Sequence, residues 1–242
     1  MNWLRFILCF AAVAASAAEP LHVRIDKLID GGQIGDLADT ATDAAFVRRA
    51  YLDLTGRIPG SAEARVFIDS KATGKRAALI DRLLASPEYA RHMAVSLDIA
   101  LMERRADKHV KTPEWRQYLF DSFAANKPWD KLVAEVILSD GDKNATTAKH
   151  PFAAAKFIMD RDAEVNLVTR DLGRKFFGMD LQCAQCHDHP NIADFYQRDY
   201  YGIYAFLSRS YIFQPDKKKP ALLAEKPTGE VSFKSVFTDV SG

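Results

Sequence analysis

Twice in this chain a hydroxyl residue, a proline and a glutamate stand in a row, at Ser86-Pro87-Glu88 and at Thr112-Pro113-Glu114. The triplet is a helix-start signal. The hydroxyl accepts from an unpaired backbone N–H, proline in the first turn forfeits no hydrogen bond, and the acid meets the positive end of the helix dipole. Around these starts, apolar residues recur at intervals of three and four rather than two. The spacing predicts a helix over 43–54 (Phe46, Val47, Ala50, Tyr51, Leu54), one capped by Ser61 (Ala64, Phe67, Ile68) and one over 75–85 (Leu79, Ile80, Leu83, Leu84). It predicts further helices from Ser86 to Met102 or Arg105, from Thr112 through Phe123, over 129–138, over 163–177 and over 196–207. Gly56, Gly74 and Asn126-Lys127-Pro128 punctuate the series, and no convincing hairpin stands out. The expected fold class is mainly α: an irregular multi-helix domain with a short β or extended C-terminal end.

Residues 1–17 read as a signal peptide. Arg5 precedes a short apolar run from Phe6 to Ala15, and Ala15-Ser16-Ala17 fits a small-x-small cleavage site. The run is well short of the roughly 20 residues that a membrane span needs. The expectation is therefore export to the periplasm or beyond, with no integral membrane span after cleavage. Residues 18–212 read as the helical domain. Residues 213–242 read as a linker, Lys217-Lys218-Lys219-Pro220, followed by the start of a further C-terminal domain, because Val231, Phe233, Ser235 and Phe237 alternate as a strand does. Thirty-three basic and 32 acidic residues give a formal charge of +1. That balance argues against nucleic acid as a partner.

Of three cysteines, Cys9 lies in the leader. The other two, Cys183 and Cys186, are too close together to staple distant segments, so chemistry is the better explanation for them. Cys183-Ala184-Gln185-Cys186-His187 matches the attachment signature of haem c. Two sulfurs one short turn apart can add to both vinyl groups of a haem, and the histidine that follows can give its imidazole to the iron. Cys183 and Cys186 are thus the expected thioether links and His187 the proximal iron ligand. A thioredoxin-like pair would need a βαβ setting. A zinc site would draw Cys183, Cys186, His187 and His189 from one short segment. The distal ligand is open: His150 and Met159 are weak candidates, and Met102, His109 and His92 are others. Met179 and His189 stand too close to the motif in sequence, and no methionine follows His187. Asp188 and Asp194 flank the motif as histidine supports or helix caps. Arg48, Arg49 and Asp53 share one helix, where they can pair locally or meet haem propionates. Tyr196, Tyr200, Tyr201, Tyr204 and Phe206 are expected to pack the core and the haem. Asn144-Ala145-Thr146 matches a glycosylation pattern of low specificity.

Three stretches together resemble a known family. These are Phe46 to Pro59 with Lys75 to Tyr89, Leu181-Gln182-Cys183-Ala184-Gln185-Cys186-His187-Asp188-His189-Pro190, and Asp199 to Phe206. They are similar to the planctomycete cytochrome-like domain, a secreted domain of unknown function that carries the CxxCH motif. The resemblance implies an exported protein with haem at Cys183, Cys186 and His187, and relatives that often bear a second C-terminal domain. Many relatives also have an N-terminal cytochrome domain with its own cysteine pair, which this sequence lacks. The function expected is electron transfer, as a carrier or redox subunit with an unknown redox partner. A haem-dependent oxidase or peroxidase and a non-haem structural or binding domain of a larger secreted protein are the alternatives.

Overall fold

The computed structural model describes residues 19–32, 39–142, 151–239 and 241–242; the expected leader, Asn144-Ala145-Thr146 and His150 lie outside them. A first compact unit reaches to Ala41 and holds α1 (Leu21–Gly31). Gly31-Gly32 closes this helix, and none of its residues is buried.

The second unit, Thr42–Gly242, is mainly helical. It contains α2 (Asp43–Thr55), α3 (Ser61–Asp69), α4 (Lys75–Leu84), α5 (Pro87–Met102), α6 (Thr112–Ala124) and α7 (Trp129–Leu138). After these come α8 (Lys156–Met159), α9 (Val165–Leu172) and α10 (Gln197–Leu207). Among the described residues no helix is long and apolar enough to cross a membrane.

The two Pro-Glu triplets behave differently. Ser86 caps α5, its hydroxyl accepting from Tyr89 N at 3.2 Å. Thr112 is already inside α6, and Lys111 holds the cap position without a side-chain bond. Asp107 takes over, accepting from Thr112 N at 3.1 Å and from its hydroxyl at 2.6 Å. Ser61 likewise lies within α3 rather than capping it. The cap is Gly60, whose N–H donates to Glu63 Oε2 at 2.6 Å. Glu63 also accepts from Arg57 at 3.0 and 3.2 Å and from the Tyr51 hydroxyl at 3.0 Å, and so pins the corner between α2 and α3.

Val47, Tyr51, Phe67, Leu79 and Leu83 form a small core under α2, α3 and α4. The larger core runs from α5 to α9 and includes Met102, Trp115, Leu119, Val136, Phe157, Val168 and Leu172. Between residues 156 and 171, a stretch with no sequence motif, four charged side chains are buried: Lys156, Asp160, Arg161 and Asp171. Lys156 Nζ donates to Asp107, to Asp160 and to the Val110 carbonyl. Asp160 in turn accepts from His109 N at 2.9 Å and Val110 N at 3.1 Å. Arg161 donates to Asp171 on α9, to the Phe157 carbonyl and to the Leu101 carbonyl at the end of α5, each within 2.8 Å. A buried charge is tolerable only when every donor is answered. Here the answers tie α5, α8 and α9 into one block.

That block aims the next segment. The expected helix over 163–177 stops being α-helical at Leu172 and continues as one π turn, Gly173–Phe177. A side chain at Gly173 would meet the Met179 carbonyl at 2.9 Å and Leu181 at 3.1 Å, so glycine lets the chain double back closely toward residue 181. After α10, β1 (Ser210–Phe213) pairs antiparallel with β2 (Leu222–Glu225), a hairpin where the residue pattern predicts none. Its connection, 214–221, has no two-residue turn signal. The alternating stretch from Val231 to Phe237 forms no strand, only an isolated bridge between Lys234 and Ser241. A single run without a partner has no ladder to join.

Candidate functional site

The cysteine motif is a 3-10 turn, Cys183–Gln185, closed by Cys186 N donating to the Cys183 carbonyl at 3.2 Å. Its middle residues face inward. Ala184 is 0 % exposed, packed with Leu181 and Tyr200, and Phe195, Tyr201 and Tyr204 border this cluster. Gln185 is held from two helices. Its side-chain amide donates to Asn166 Oδ1 of α9 at 3.2 Å. Its carbonyl accepts from the Tyr201 hydroxyl of α10 at 3.3 Å and, at a long 3.5 Å, from the buried Gln197 amide. Tyr200 donates to the same Asn166 oxygen at 2.6 Å. With the middle of the turn anchored inside, both cysteines are left outside, exposed and as free thiols.

The two histidines differ chemically. His187 Nδ1 lies 2.7 Å from the Asp188 carbonyl. A carbonyl oxygen only accepts, so this nitrogen carries a proton; in the neutral imidazole Nε2 then keeps the lone pair, and it has no hydrogen-bond partner among the described residues. His189 Nδ1 instead accepts from Asn191 N at 3.2 Å and Ile192 N at 3.0 Å. Its proton is therefore on Nε2, and the ring closes a surface turn against Phe195. The Asp188 carboxylate serves α10 rather than a histidine, its Oδ1 accepting from Gln197 N at 2.8 Å.

Residues near the C-terminal end return to this turn. Val236 N donates to the Cys186 carbonyl at 3.2 Å. The Phe237 ring lies 4.9 Å from the His187 ring, and Phe233 stacks on Tyr201 at 4.8 Å. Burial, then the nearby Cys186 thiol, pushes the Tyr201 hydroxyl above the usual phenol range. Burial does the same to Tyr200. Phe206, expected to pack inward, is 82 % exposed on the outer side of α10.

The other candidates are scattered. Met159 is fully buried with Val110, Ala155 and Ala221, its sulfur against Gly141. Met102 belongs to the large core and accepts weakly from Arg161 through its sulfur. His109 faces Asp162, and His92 packs on Gly56, where a Cβ would come within 2.5 Å of its ring. None of these four belongs to the cluster under the motif; Met179 does, at its edge. Arg48, Arg49 and Asp53 are exposed on α2. Among the described residues no three His, Cys, Asp or Glu side chains gather as a metal-binding group. A haem c would find a fitting donor set in two outward thiols and one imidazole with a free Nε2.

A family model described as PSCyt2, Protein of unknown function (DUF1549), matches residues 30–211, a span that contains α2 to α10 and the cysteine turn. No curated protein and no solved structure matches.

Proposed function

The chain belongs to the PSCyt2 family, whose function is unknown, and from that premise we propose that it is an exported protein that holds one covalent haem c for electron transfer. One observation carries the reading. The turn is anchored through Ala184 and Gln185, so Cys183 and Cys186 point outward beside a histidine whose Nε2 lone pair is unused. Bound there, the haem would supply a one-electron iron couple. Cys183 and Cys186 would hold it through thioether bonds, and His187 would give its Nε2 to the iron. The Asp188 carbonyl, by accepting a hydrogen bond from Nδ1–H, would fix the imidazole in the ligating tautomer. Export follows from the reading of residues 1–17 as a leader.

The test is expression with a cytochrome c maturation system, followed by denaturation and acid–organic extraction. Haem absorbance that stays with the polypeptide supports the proposal. A second reading, a structural domain with free thiols, draws on Val236 and Phe237 already packing on Cys186 and His187. Haem that extracts completely, or is never bound, favours that reading and removes the first. Peroxide turnover by the haem-loaded protein would point instead to an enzyme.

A further inference from the structure

We infer that residues 233–237 form a displaceable strap over the cysteine turn, one that lifts to let haem reach His187. The inference rests on the haem reading above. Its basis is the asymmetry of the strap's contacts. At its base, Phe233 is well secured. Its ring stacks nearly parallel on Tyr201, 12° between planes, and its backbone exchanges two hydrogen bonds with Gly242 at 2.8 and 3.1 Å. Ser235 is buried.

At its tip the hold is slight. One backbone bond joins Val236 N to the Cys186 carbonyl, and one tilted ring contact joins Phe237 to His187. Val236 is 63 % and Phe237 76 % exposed, so both large apolar side chains remain mostly in water. Little apolar area is therefore buried at the tip, and little opposes its release.

The position of the tip gives the looseness a consequence. The Phe237 ring lies 4.9 Å from the imidazole that would have to give its Nε2 to the iron, so a bulky group bound at that ring would meet the tip. The same tip touches the second attachment residue through its backbone. A strap fixed at Phe233 and lightly held at Phe237 uncovers the ligand without unfolding the turn, because Gln185 is held separately by α9 and α10.

The test uses the full chain without haem and follows modification of single histidines by diethyl pyrocarbonate, read by peptide mapping. Phe237→Ala removes the ring contact, and Val236→Pro removes the N–H donor. Each is expected to speed modification of His187 by about threefold to tenfold, the range one aromatic pair or one backbone bond supports. His189 serves as the internal reference and is expected to hold its rate. Unchanged His187 reactivity in both variants, or equal acceleration of both histidines, overturns the inference. In parallel, covalent haem per chain is measured after maturation. A strap predicts equal or higher yield in Phe237→Ala, whereas a lower yield marks Phe237 as a fixed wall and overturns it. The two readings fail separately. Faster His187 modification with no haem in any variant defeats the haem reading and keeps the cover. Haem in every variant with unchanged His187 reactivity does the reverse.

Discussion

His187 and His189, two residues apart, hold their protons on opposite ring nitrogens. The first donates from Nδ1 to the Asp188 carbonyl; the second accepts two backbone N–H bonds at Nδ1. His187→Ala is therefore expected to keep the thioether-bound haem but shift its visible spectrum and potential, since the axial ligand is a main lever on both. His189→Ala is expected to leave the spectrum alone and to lower stability by about 1 kcal/mol through the lost turn bonds. Spectra of the two haem-loaded variants, with a thermal melt of each, decide it. A spectrum that follows His189 reverses the ligand assignment.

The exposed thiols and the buried alanine between them give a sharp contrast. Cys183→Ser with Cys186→Ser is expected to abolish covalent haem while changing the stability of the haem-free chain by no more than about 0.5 kcal/mol, as surface substitutions do. Ala184→Leu keeps both sulfurs but forces a larger side chain into a fully buried site. It is expected to cost about 1–3 kcal/mol in urea unfolding.

Asn166 lies on a different helix from the cysteines, and its Oδ1 receives both the Tyr200 hydroxyl and the Gln185 amide. Asn166→Leu leaves a buried hydroxyl and an amide without their acceptor, at an expected cost of about 1–3 kcal/mol. If the turn is set by this clamp, covalent haem yield falls as well. A yield equal to that of the parent chain would show that the turn holds its shape without α9.

Lys156→Met should be among the most damaging single changes in the chain. It strips the buried cation from Asp160, and removing one partner of a buried pair costs about 3–5 kcal/mol. Adding Asp160→Asn removes the stranded charge, and unfolding of the double variant is expected to show partial recovery. A double variant as unstable as the single one would place the cost in lost packing.

Acid should loosen the corner between α2 and α3. The Arg57 guanidinium, then the Gly60 N–H and the Tyr51 hydroxyl, hold the Glu63 carboxyl down to about 2, from an ordinary value of 4.5. The folded value lies below the unfolded one, so this contribution is present above the unfolded value and is lost as pH falls toward about 2. Glu63 and Arg57 are both partly in solvent, so the amount is about 1 kcal/mol or less. Urea unfolding between about pH 6 and about pH 3 is expected to show a shallower pH slope for Glu63→Gln than for the parent chain.

Sequence by itself determined the local features. The helical periods, the Ser86 cap and the stop at Gly56 arise from contacts within a few residues, and the structure keeps them. The order Cys183, Cys186, His187 is also plain in the sequence, and with it the chemistry these side chains can do. Tertiary structure decided what has no local signal. Lys156 and Arg161 look like ordinary surface charges until α5, α8 and α9 close around them. The direction of the sulfurs depends on Asn166 meeting Gln185, and the cover on His187 depends on Phe237 arriving from fifty residues later. Such contacts join segments with no shared period. They form only when the hydrophobic faces of separate helices have packed, so only the packed chain selects them.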